Sequence, residues 1–264
     1  MSSPISGLPL QGKTAIVTGA SRGIGAGVAL ELGKRGCDVI IIYNSPKSAE
    51  LSQEVVSRIT SLPHHPKALA IRGDLREPQA PESIVETAKS WLIANGRQDK
   101  IHILVNNAGM ELVKRLGEIT PEDFASVYDI NVRGTLLMTQ AVLPYLSERG
   151  RVINISSVGA RAGFPGLSIY CSSKAAIEGL TRSWAAELGH NGTTVNTVNP
   201  GPVQSEMLDN IPKEIIDAQK KATPIQNRVG TVEEVADVVG WLAGEESRWI
   251  TGQTISASGG WAMY

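Results

Sequence analysis

The sequence is poor in cysteine, with Cys37 and Cys171 as the only two among 264 residues. Two cysteines give neither a disulfide framework nor a metal-binding spacing, so no metal and a reducing compartment are expected. No apolar run reaches the roughly 18 to 20 residues that span a bilayer, and Met1–Lys13 lacks the pattern of a secretory signal. The formal net charge of −1 gives no electrostatic case for nucleic acid or an anionic membrane as partner. These absences indicate a soluble, cytoplasmic protein that acts on a small molecule.

Short apolar runs alternate with longer amphipathic stretches along the chain. The run Asp38–Tyr43 has no polar alternation, which is typical of a strand buried on both faces of a parallel sheet. Strands are predicted at Thr14–Thr18, Asp38–Tyr43, Ala68–Arg72, Ile101–Val105, Arg151–Ser156, Thr194–Val198 and Thr254–Ala257. Helices are predicted at Gly23–Arg35, Ser48–Ser61, Pro81–Ala94, Pro121–Ser147, Ser168–Leu188 and Val232–Gly240. The pattern predicts an α/β fold, a Rossmann-like doubly wound parallel sheet with helices on both faces.

No repeat, low-complexity linker or change of composition divides the chain. Residues 1–264 are therefore predicted to form a single domain, in which residues 1–10 are an N-terminal extension. Three segments have the composition of loops: Leu62–Lys67, the Gly- and Ala-rich Val158–Leu167, and Pro200–Pro224. The last of these carries four prolines and is predicted to be a lid over a site.

A glycine-rich turn, Thr18–Gly25, joins the first predicted strand to the first helix. Glycines allow a tight turn and a close backbone approach, and the helix N-terminus presents N–H groups to a pyrophosphate. A glycine cluster by itself is also compatible with a simple tight turn, but the strand and helix on either side favour a dinucleotide site. The residues of this turn predicted to contact a dinucleotide are Gly19, Ser21, Arg22, Gly23, Ile24 and Gly25.

The choice of dinucleotide depends on the end of the second strand, where NAD sites usually place a carboxylate for the ribose 2′-hydroxyl. This sequence has Tyr43, Asn44 and Ser45 there, and no carboxylate before Glu50. Asn44, Ser45 and Arg22 are suited to contact a 2′-phosphate. NADP(H) is therefore predicted in preference to NAD(H).

Tyr170 and Lys174 lie four residues apart in the predicted helix Ser168–Leu188, so their side chains share one face. An ammonium beside a phenol stabilises the phenolate, which makes the phenol a usable acid or base near neutral pH. Taken alone, the pair favours a packing tyrosine beside a solvated lysine, because this spacing occurs by chance in many helices.

The motifs together resemble one known family. Their order and spacing are similar to those of the short-chain dehydrogenases/reductases from about Leu10 to Gly260. The motifs that carry the resemblance are Thr18–Gly25, Asn106-Asn107-Ala108-Gly109, Asn131, Ser157, Tyr170-x-x-x-Lys174 and Pro200-Gly201. The segment Tyr43–Ser45 also resembles NADPH-dependent ketoreductases of polyketide or fatty-acyl intermediates, including the fungal hydroxynaphthalene reductases.

The resemblance implies four catalytic roles. Tyr170 is similar to the family's acid/base, which protonates the carbonyl oxygen during reduction. Lys174 resembles the residue that lowers the pKa of that tyrosine and holds the nicotinamide ribose. Ser157 rather than its neighbour Ser156 matches the serine that steadies the substrate oxygen, thirteen residues before Tyr170. Asn131 matches the asparagine that links Lys174 through water to a proton relay.

The resemblance also implies cofactor contacts along the rest of the chain. These contacts are Asp74 and Leu75 for the adenine; Asn107, Ala108 and Gly109; Tyr170 and Lys174; and Pro200, Gly201, Val203 and Ser205 for the nicotinamide. Ser205 stands where threonine is commoner, and keeps a hydroxyl. Ser258 stands where many members have aspartate, away from the chemistry.

The predicted activity is NADPH-dependent reduction of a ketone, in secondary metabolism, with a homotetramer formed through the helices Pro121–Ser147 and Ser168–Leu188. Two alternatives stay open: a non-redox NADP-binding protein on the same fold, and an NAD-dependent alcohol dehydrogenase running oxidatively. Specificity is expected to depend on Met110–Gly117, Val158–Leu167 and Pro200–Pro224. The C-terminal Trp261–Tyr264 either covers a substrate pocket, contacts a neighbouring subunit or simply packs.

Overall fold

The computed structural model describes residues 7–204 and 213–264, which build one sheet with helices on both faces. The strands are β1 (Thr14–Thr18), β2 (Asp38–Tyr43), β3 (Ala68–Arg72), β4 (Ile101–Asn106), β5 (Leu146–Ile155), β6 (Thr194–Pro200) and β7 (Thr254–Ala257). The helices are α1 (Gly23–Lys34), α2 (Ala49–Thr60), α3 (Ala80–Ala94), α4 (Pro121–Tyr128), α5 (Thr135–Val142), α6 (Ser168–Leu188), α7 (Lys213–Ala222) and α8 (Val232–Ala243). In this described part of the chain no helix combines the length and apolarity needed to cross a membrane.

The strands are all parallel and follow the order β3-β2-β1-β4-β5-β6-β7. The order reverses between β1 and β4, so the connections leave these two strands in opposite directions and open a crevice at their carboxyl ends. The predicted doubly wound parallel sheet is confirmed, and the crevice is where a ligand is expected.

β2 has no polar alternation because both of its faces are buried. Val39 and Ile41 pack in one core with α1, α2 and α8. Ile40 and Ile42 point to the opposite face and pack in a second core with α3, α5 and α6. Both faces of the central strands are therefore buried, as in other sheets covered by helices on each side.

The predicted helix Pro121–Ser147 is wrong at its centre and at its end. α4 begins as expected, with Thr120 as the N-cap of a capping box. Between α4 and α5 one π-helical turn, Asp129–Gly134, interrupts the regular helix. The helix then ends before Pro144, because proline has no N–H and disfavours a helical residue before it. β5 therefore begins earlier than the sequence predicts.

The segment Pro200–Pro224 is not a continuous loop, since α7 occupies Lys213–Ala222. None of the α7 side chains is buried, so no face of this helix packs into either core. Pro224 follows the end of this helix.

Candidate active site

The turn between β1 and α1 is a close-packed glycine cradle. Gly19 has a φ of +63°, a conformation that residues with a Cβ rarely adopt. A Cβ on Gly25 would lie 2.5 Å from Asn107 Nδ2 and closer still to the Gly19 carbonyl oxygen. α1 begins at Gly23, so the helix N-terminus, which favours anions, faces the same turn. The geometry fits the pyrophosphate of a dinucleotide. The other predicted residues of this turn, Ser21, Arg22 and Ile24, lie at the start of α1.

The end of β4 holds the glycine turn in place. Thr18 Oγ1 accepts hydrogen bonds from the backbone N–H groups of Asn107 and Ala108, both at 3.0 Å. The Asn107 amide donates to the carbonyl oxygens of Thr18 and Gly19, also at 3.0 Å. Asn107 and Ala108 therefore shape the dinucleotide cradle from the neighbouring strand.

The end of β2 has no carboxylate at Tyr43, Asn44 or Ser45. Arg72, the last residue of β3, pairs with Tyr43 across the sheet, and its Nε donates to the Asn44 carbonyl at 3.3 Å. Arg72 is not among the residues that the motifs predict, although its place beside the end of β2 is a usable signal. Its guanidinium places positive charge beside this polar segment.

Asp74 and Leu75, the predicted adenine contacts, follow β3. The Asp74 carboxylate forms an ion pair with Arg76, with 2.5 Å between Oδ2 and Nη2. This hydrogen bond lowers the pKa of Asp74, so the carboxylate is charged and already oriented. Leu75 is buried against Gly134, where an added Cβ would lie 3.0 Å away. Contact with adenine stays a prediction for both residues.

Ser157, Tyr170 and Lys174 come together beyond the carboxyl end of β5. Ser157 Oγ accepts the Gly159 N–H at 3.0 Å and is hydrogen-bonded to the Tyr170 side chain. The neighbouring Ser156 is instead buried, with its Oγ donating to the Lys174 carbonyl at 3.0 Å. Lys174 Nζ lies 5.8 Å from the centre of the Tyr170 ring, one turn along α6. Of the two serines, Ser157 is the one that faces the phenol.

Burial controls the protonation of the Tyr170–Lys174 pair. It raises the pKa of Tyr170 to about 12, against a smaller lowering by the hydrogen bond from Ser157. It lowers the pKa of Lys174 to about 8, while Nζ donates to the Ile155 carbonyl at 2.9 Å. Burial thus outweighs the lowering of the Tyr170 pKa that the ammonium is expected to cause. The phenol keeps its proton at neutral pH, as a proton donor must.

Asn131 lies in the π-helical turn between α4 and α5 and is fully buried. Its Oδ1 accepts the Met110 N–H at 2.8 Å, and its Nδ2 donates to the Met110 carbonyl at 3.0 Å and to Ser173 Oγ at 2.9 Å. A Cβ on Gly109 would lie 3.1 Å from Asn131 Oδ1 and 3.3 Å from Lys174 Nζ. Asn131 and Lys174 therefore border the same small space, and the water relay between them stays a prediction.

The predicted nicotinamide segment follows β6, which ends at Pro200. A Cβ on Gly201 would lie 2.8 Å from Ser258 Cβ, so this turn packs directly on the C-terminal part of the chain. Val203 is buried and forms an isolated β-bridge. Ser205 lies outside the described residues.

Glu111 is a further residue of the site that the motifs do not indicate. It is half-buried in the segment Met110–Gly117, and burial raises the pKa of its carboxyl group. Its charge also raises the pKa of Tyr170 and of Cys171. The Glu111 carboxyl group therefore lies close to the Tyr170 phenol and to Cys171.

A dinucleotide cradle beside Ser157, Tyr170 and the buried Lys174 defines the class of a nicotinamide-dependent oxidoreductase. Similar proteins of known class support this assignment. A family model described as enoyl-(acyl carrier protein) reductase matches residues 19–262. The short-chain dehydrogenase/reductase FrzI of Cladobotryum sp. is 42% identical over 255 residues, which cover 94% of this chain and 95% of that protein. The tetrahydroxynaphthalene reductase PfmaG of Pestalotiopsis fici is 37% identical, over 96% of this chain and 92% of its own length.

Solved structures extend the agreement to the fold. The angucycline C-6 ketoreductase LanV with bound NADP has a TM-score of 0.89 and 34% identity, covering 95% of this chain and 96% of that chain. The chain belongs to the short-chain dehydrogenase/reductase family. The predictions of this family, of its fold and of a nicotinamide cofactor are confirmed.

Proposed function

We propose that this protein reduces a ketone to a secondary alcohol with NADPH, and that Tyr170 delivers the proton to the carbonyl oxygen. The observation that carries the proposal is the partly buried Tyr170 phenol, which is protonated at neutral pH and faces Ser157. The substrate is a polyketide-like, acyl or cyclic ketone. The names of PfmaG, a tetrahydroxynaphthalene reductase, and of LanV, an angucycline C-6 ketoreductase, support this substrate class.

The surrounding residues suit the charge that reduction creates. Bound NADPH would supply the hydride, and negative charge would then develop on the carbonyl oxygen. Ser157 and Tyr170 place two hydroxyl donors where that charge develops. Lys174 is charged below a pH of about 8 and stabilises the phenolate that is left after proton transfer. Asn131 borders the same space and orders the segment at Met110.

The preference for NADP(H) over NAD(H) follows from the charges at the ends of β2 and β3. Arg72 lies beside Asn44, where a carboxylate would repel a 2′-phosphate, and Arg22 supplies a further exposed positive charge directly before α1. Arginine side chains bind phosphate through several N–H groups at once. The NADP bound in LanV supports the same choice.

Assembly as a homotetramer is part of the proposal. The exposed apolar side chains of Phe124 on α4 and Leu143 after α5 lie on the segment expected to pair between subunits. We expect light scattering to give the mass of four chains, and a monomeric mass would contradict this part of the proposal.

The test of the activity follows NADPH loss with a panel of cyclic and aryl ketones. Wild type is expected to oxidise NADPH, and Tyr170→Phe is expected to be slower by about 100-fold or more, since general acid catalysis contributes that much. Tyr145→Phe, on a tyrosine that bonds Lys89 far from the site, is the matched control. Equal rates for wild type and Tyr170→Phe would contradict the mechanism. Tight NADPH binding without any turnover would favour a non-redox protein, and a preference for NADH would favour the oxidative alcohol dehydrogenase.

A further inference from the structure

The carboxylate of Glu178 is buried close to the site, but the proposed chemistry does not use it. Glu178 lies on the same stripe of α6 as Tyr170 and Lys174, and its side chain is only 6% exposed. Arg161 Nε donates to Glu178 Oε2 at 2.9 Å, and Asn199 Nδ2 donates to Oε1 at 2.7 Å. A buried carboxylate needs such partners, because an unpaired charge there is strongly destabilising. Glu178 thereby ties α6 to the loop after β5 and to the end of β6.

The same network continues to the C-terminal residue. The Asn199 amide nitrogen, which carries two hydrogens, also donates to the Tyr264 hydroxyl oxygen at 2.7 Å. The Arg161 guanidinium lies over the Tyr264 ring, 4.2 Å from its centre, as in a cation–π contact. Tyr264 is thus held by both partners of Glu178. We call Arg161, Glu178, Asn199 and Tyr264 the C-terminal clasp.

The clasp brings two aromatic rings together near the reacting serine. Phe164 and Trp261 have ring centres 5.6 Å apart at an interplanar angle of 34°. A Cβ on Gly159 would lie 3.7 Å from the Phe164 ring, 3.3 Å from Ser157 Oγ and 3.3 Å from Cys171 Sγ. The Phe164 ring therefore lies close to Ser157, and the Trp261 ring packs beside it.

A turn after β7 directs the chain back towards the clasp. Gly259 and Gly260 both have a positive φ, +62° and +84°, which reverses the chain direction. Ser256 Oγ donates to the Ala262 carbonyl at 2.8 Å, and Ser258 Oγ accepts the Ala262 N–H at 3.2 Å. Ser258, where many family members have aspartate, thus holds the returning segment.

We infer that Glu178 is a positioning residue which fastens the loop 158–167 to the C-terminal residues Trp261–Tyr264, and that these two segments form an aromatic wall of the substrate space. The wall suits a cyclic or aromatic ketone, whose ring packs on Phe164 and Trp261. This inference rests on the proposed ketone reduction. The wall acts on substrate binding and leaves the dinucleotide cradle unaffected.

The experiment compares Tyr264→Phe and Glu178→Gln with wild type, and uses Tyr145→Phe as the matched control. For an aryl ketone, KM is expected to rise about fivefold to tenfold, because the loss of one hydrogen bond is worth about that factor in affinity. We expect kcat to change less than about twofold, as for a loss of binding common to ground state and transition state. NADPH affinity and the KM of a small aliphatic ketone are expected to stay at the wild-type values.

Hydrogen exchange of the peptides that cover residues 158–167 and 261–264 tests the clasp without any turnover. Faster exchange in both peptides of Tyr264→Phe supports the clasp, and unchanged exchange overturns it. Faster exchange with an unchanged KM for the aryl ketone overturns the role of the wall in binding. A wild type that reduces no ketone refutes the proposed activity, and the exchange result then decides the clasp alone. If Glu178→Gln fails to fold, the results for Tyr264→Phe alone decide the inference.

Discussion

At the dinucleotide end of the site, Gly19, Gly25 and Asn107 approach so closely that one added Cβ would displace the backbone. At the substrate end, the surface is built from side chains of segments far apart in the chain, such as Arg161 and Tyr264. The first region is fixed by main-chain geometry next to β1 and β4, and the second by side-chain pairing. A protein of this design can therefore change its substrate without changing its cofactor.

The largest effect on dinucleotide binding is expected at the cradle, where Gly25→Ala tests its close packing. The new methyl group overlaps the Gly19 carbonyl and Asn107 Nδ2, and overpacking of this kind typically costs about 1–3 kcal/mol. We expect NADPH affinity to fall about 10- to 100-fold, measured by fluorescence titration alongside thermal unfolding. Gly163→Ala is the control, because a Cβ there meets nothing within 4 Å. Wild-type affinity in Gly25→Ala would show that the cradle is not close-packed.

Lys174→Met tests whether burial lowers the pKa of Lys174. The folded-state pKa of Lys174 is about 8, below its usual value of 10.5, so between these pH values the folded protein binds fewer protons than the unfolded chain. The contribution of Lys174 to the free energy of unfolding therefore rises with pH in this window, by up to about 1.4 kcal/mol per pH unit. We expect urea unfolding at pH 7.5 and 9.5 to show this rise in wild type relative to Lys174→Met. Parallel pH dependences would contradict the lowered pKa.

Arg22→Ala tests whether Arg22 causes the expected preference for NADPH over NADH. Loss of a charge-assisted phosphate contact is expected to weaken NADPH binding about tenfold and to leave NADH binding unchanged. Arg248→Ala, on an exposed arginine after α8, serves as the control in the same titration. Equal weakening for both dinucleotides would mean that Arg22 does not recognise the 2′-phosphate.

Glu111→Gln, at the substrate end, is expected to have the smallest effect, a change in the reactivity of Cys171. The Glu111 charge raises the pKa of Cys171, so its removal lowers that pKa and increases the thiolate fraction at a fixed pH. We expect alkylation of Cys171 to become about two- to threefold faster, measured by mass spectrometry. The buried Cys37 is an internal reference, and Glu118→Gln, on an exposed glutamate, is the matched variant. An unchanged rate would place Glu111 away from the phenol.

The dinucleotide end could be predicted largely from the sequence, because Thr18–Gly25 and Asn107 act through positions fixed by neighbouring strands. Pro121–Ser147 was predictable only in part, since no propensity marks the π-helical turn that holds Asn131. The sequence does not reveal α7, because the four prolines of Pro200–Pro224 indicate a loop. The clasp joins Arg161 to Glu178 and Tyr264 across the fold, and no sequence spacing encodes such pairing.

Burial is the other quantity that the sequence does not disclose. The Tyr170–Lys174 spacing predicts that the ammonium lowers the pKa of the phenol, whereas burial raises that pKa to about 12. The direction of the pKa shift depends on how deeply the phenol is buried, and that burial is a property of the folded chain.

The most direct measurement determines NADPH affinity and ketone turnover on the same preparation of Tyr170→Phe. The variant keeps the cradle of Gly19 and Gly25 and loses the proton donor. We predict NADPH affinity within about twofold of wild type and turnover reduced by about 100-fold or more. Turnover close to wild type, or affinity lost together with turnover, would contradict a reduction in which Tyr170 supplies the proton and the dinucleotide binds without the Tyr170 hydroxyl.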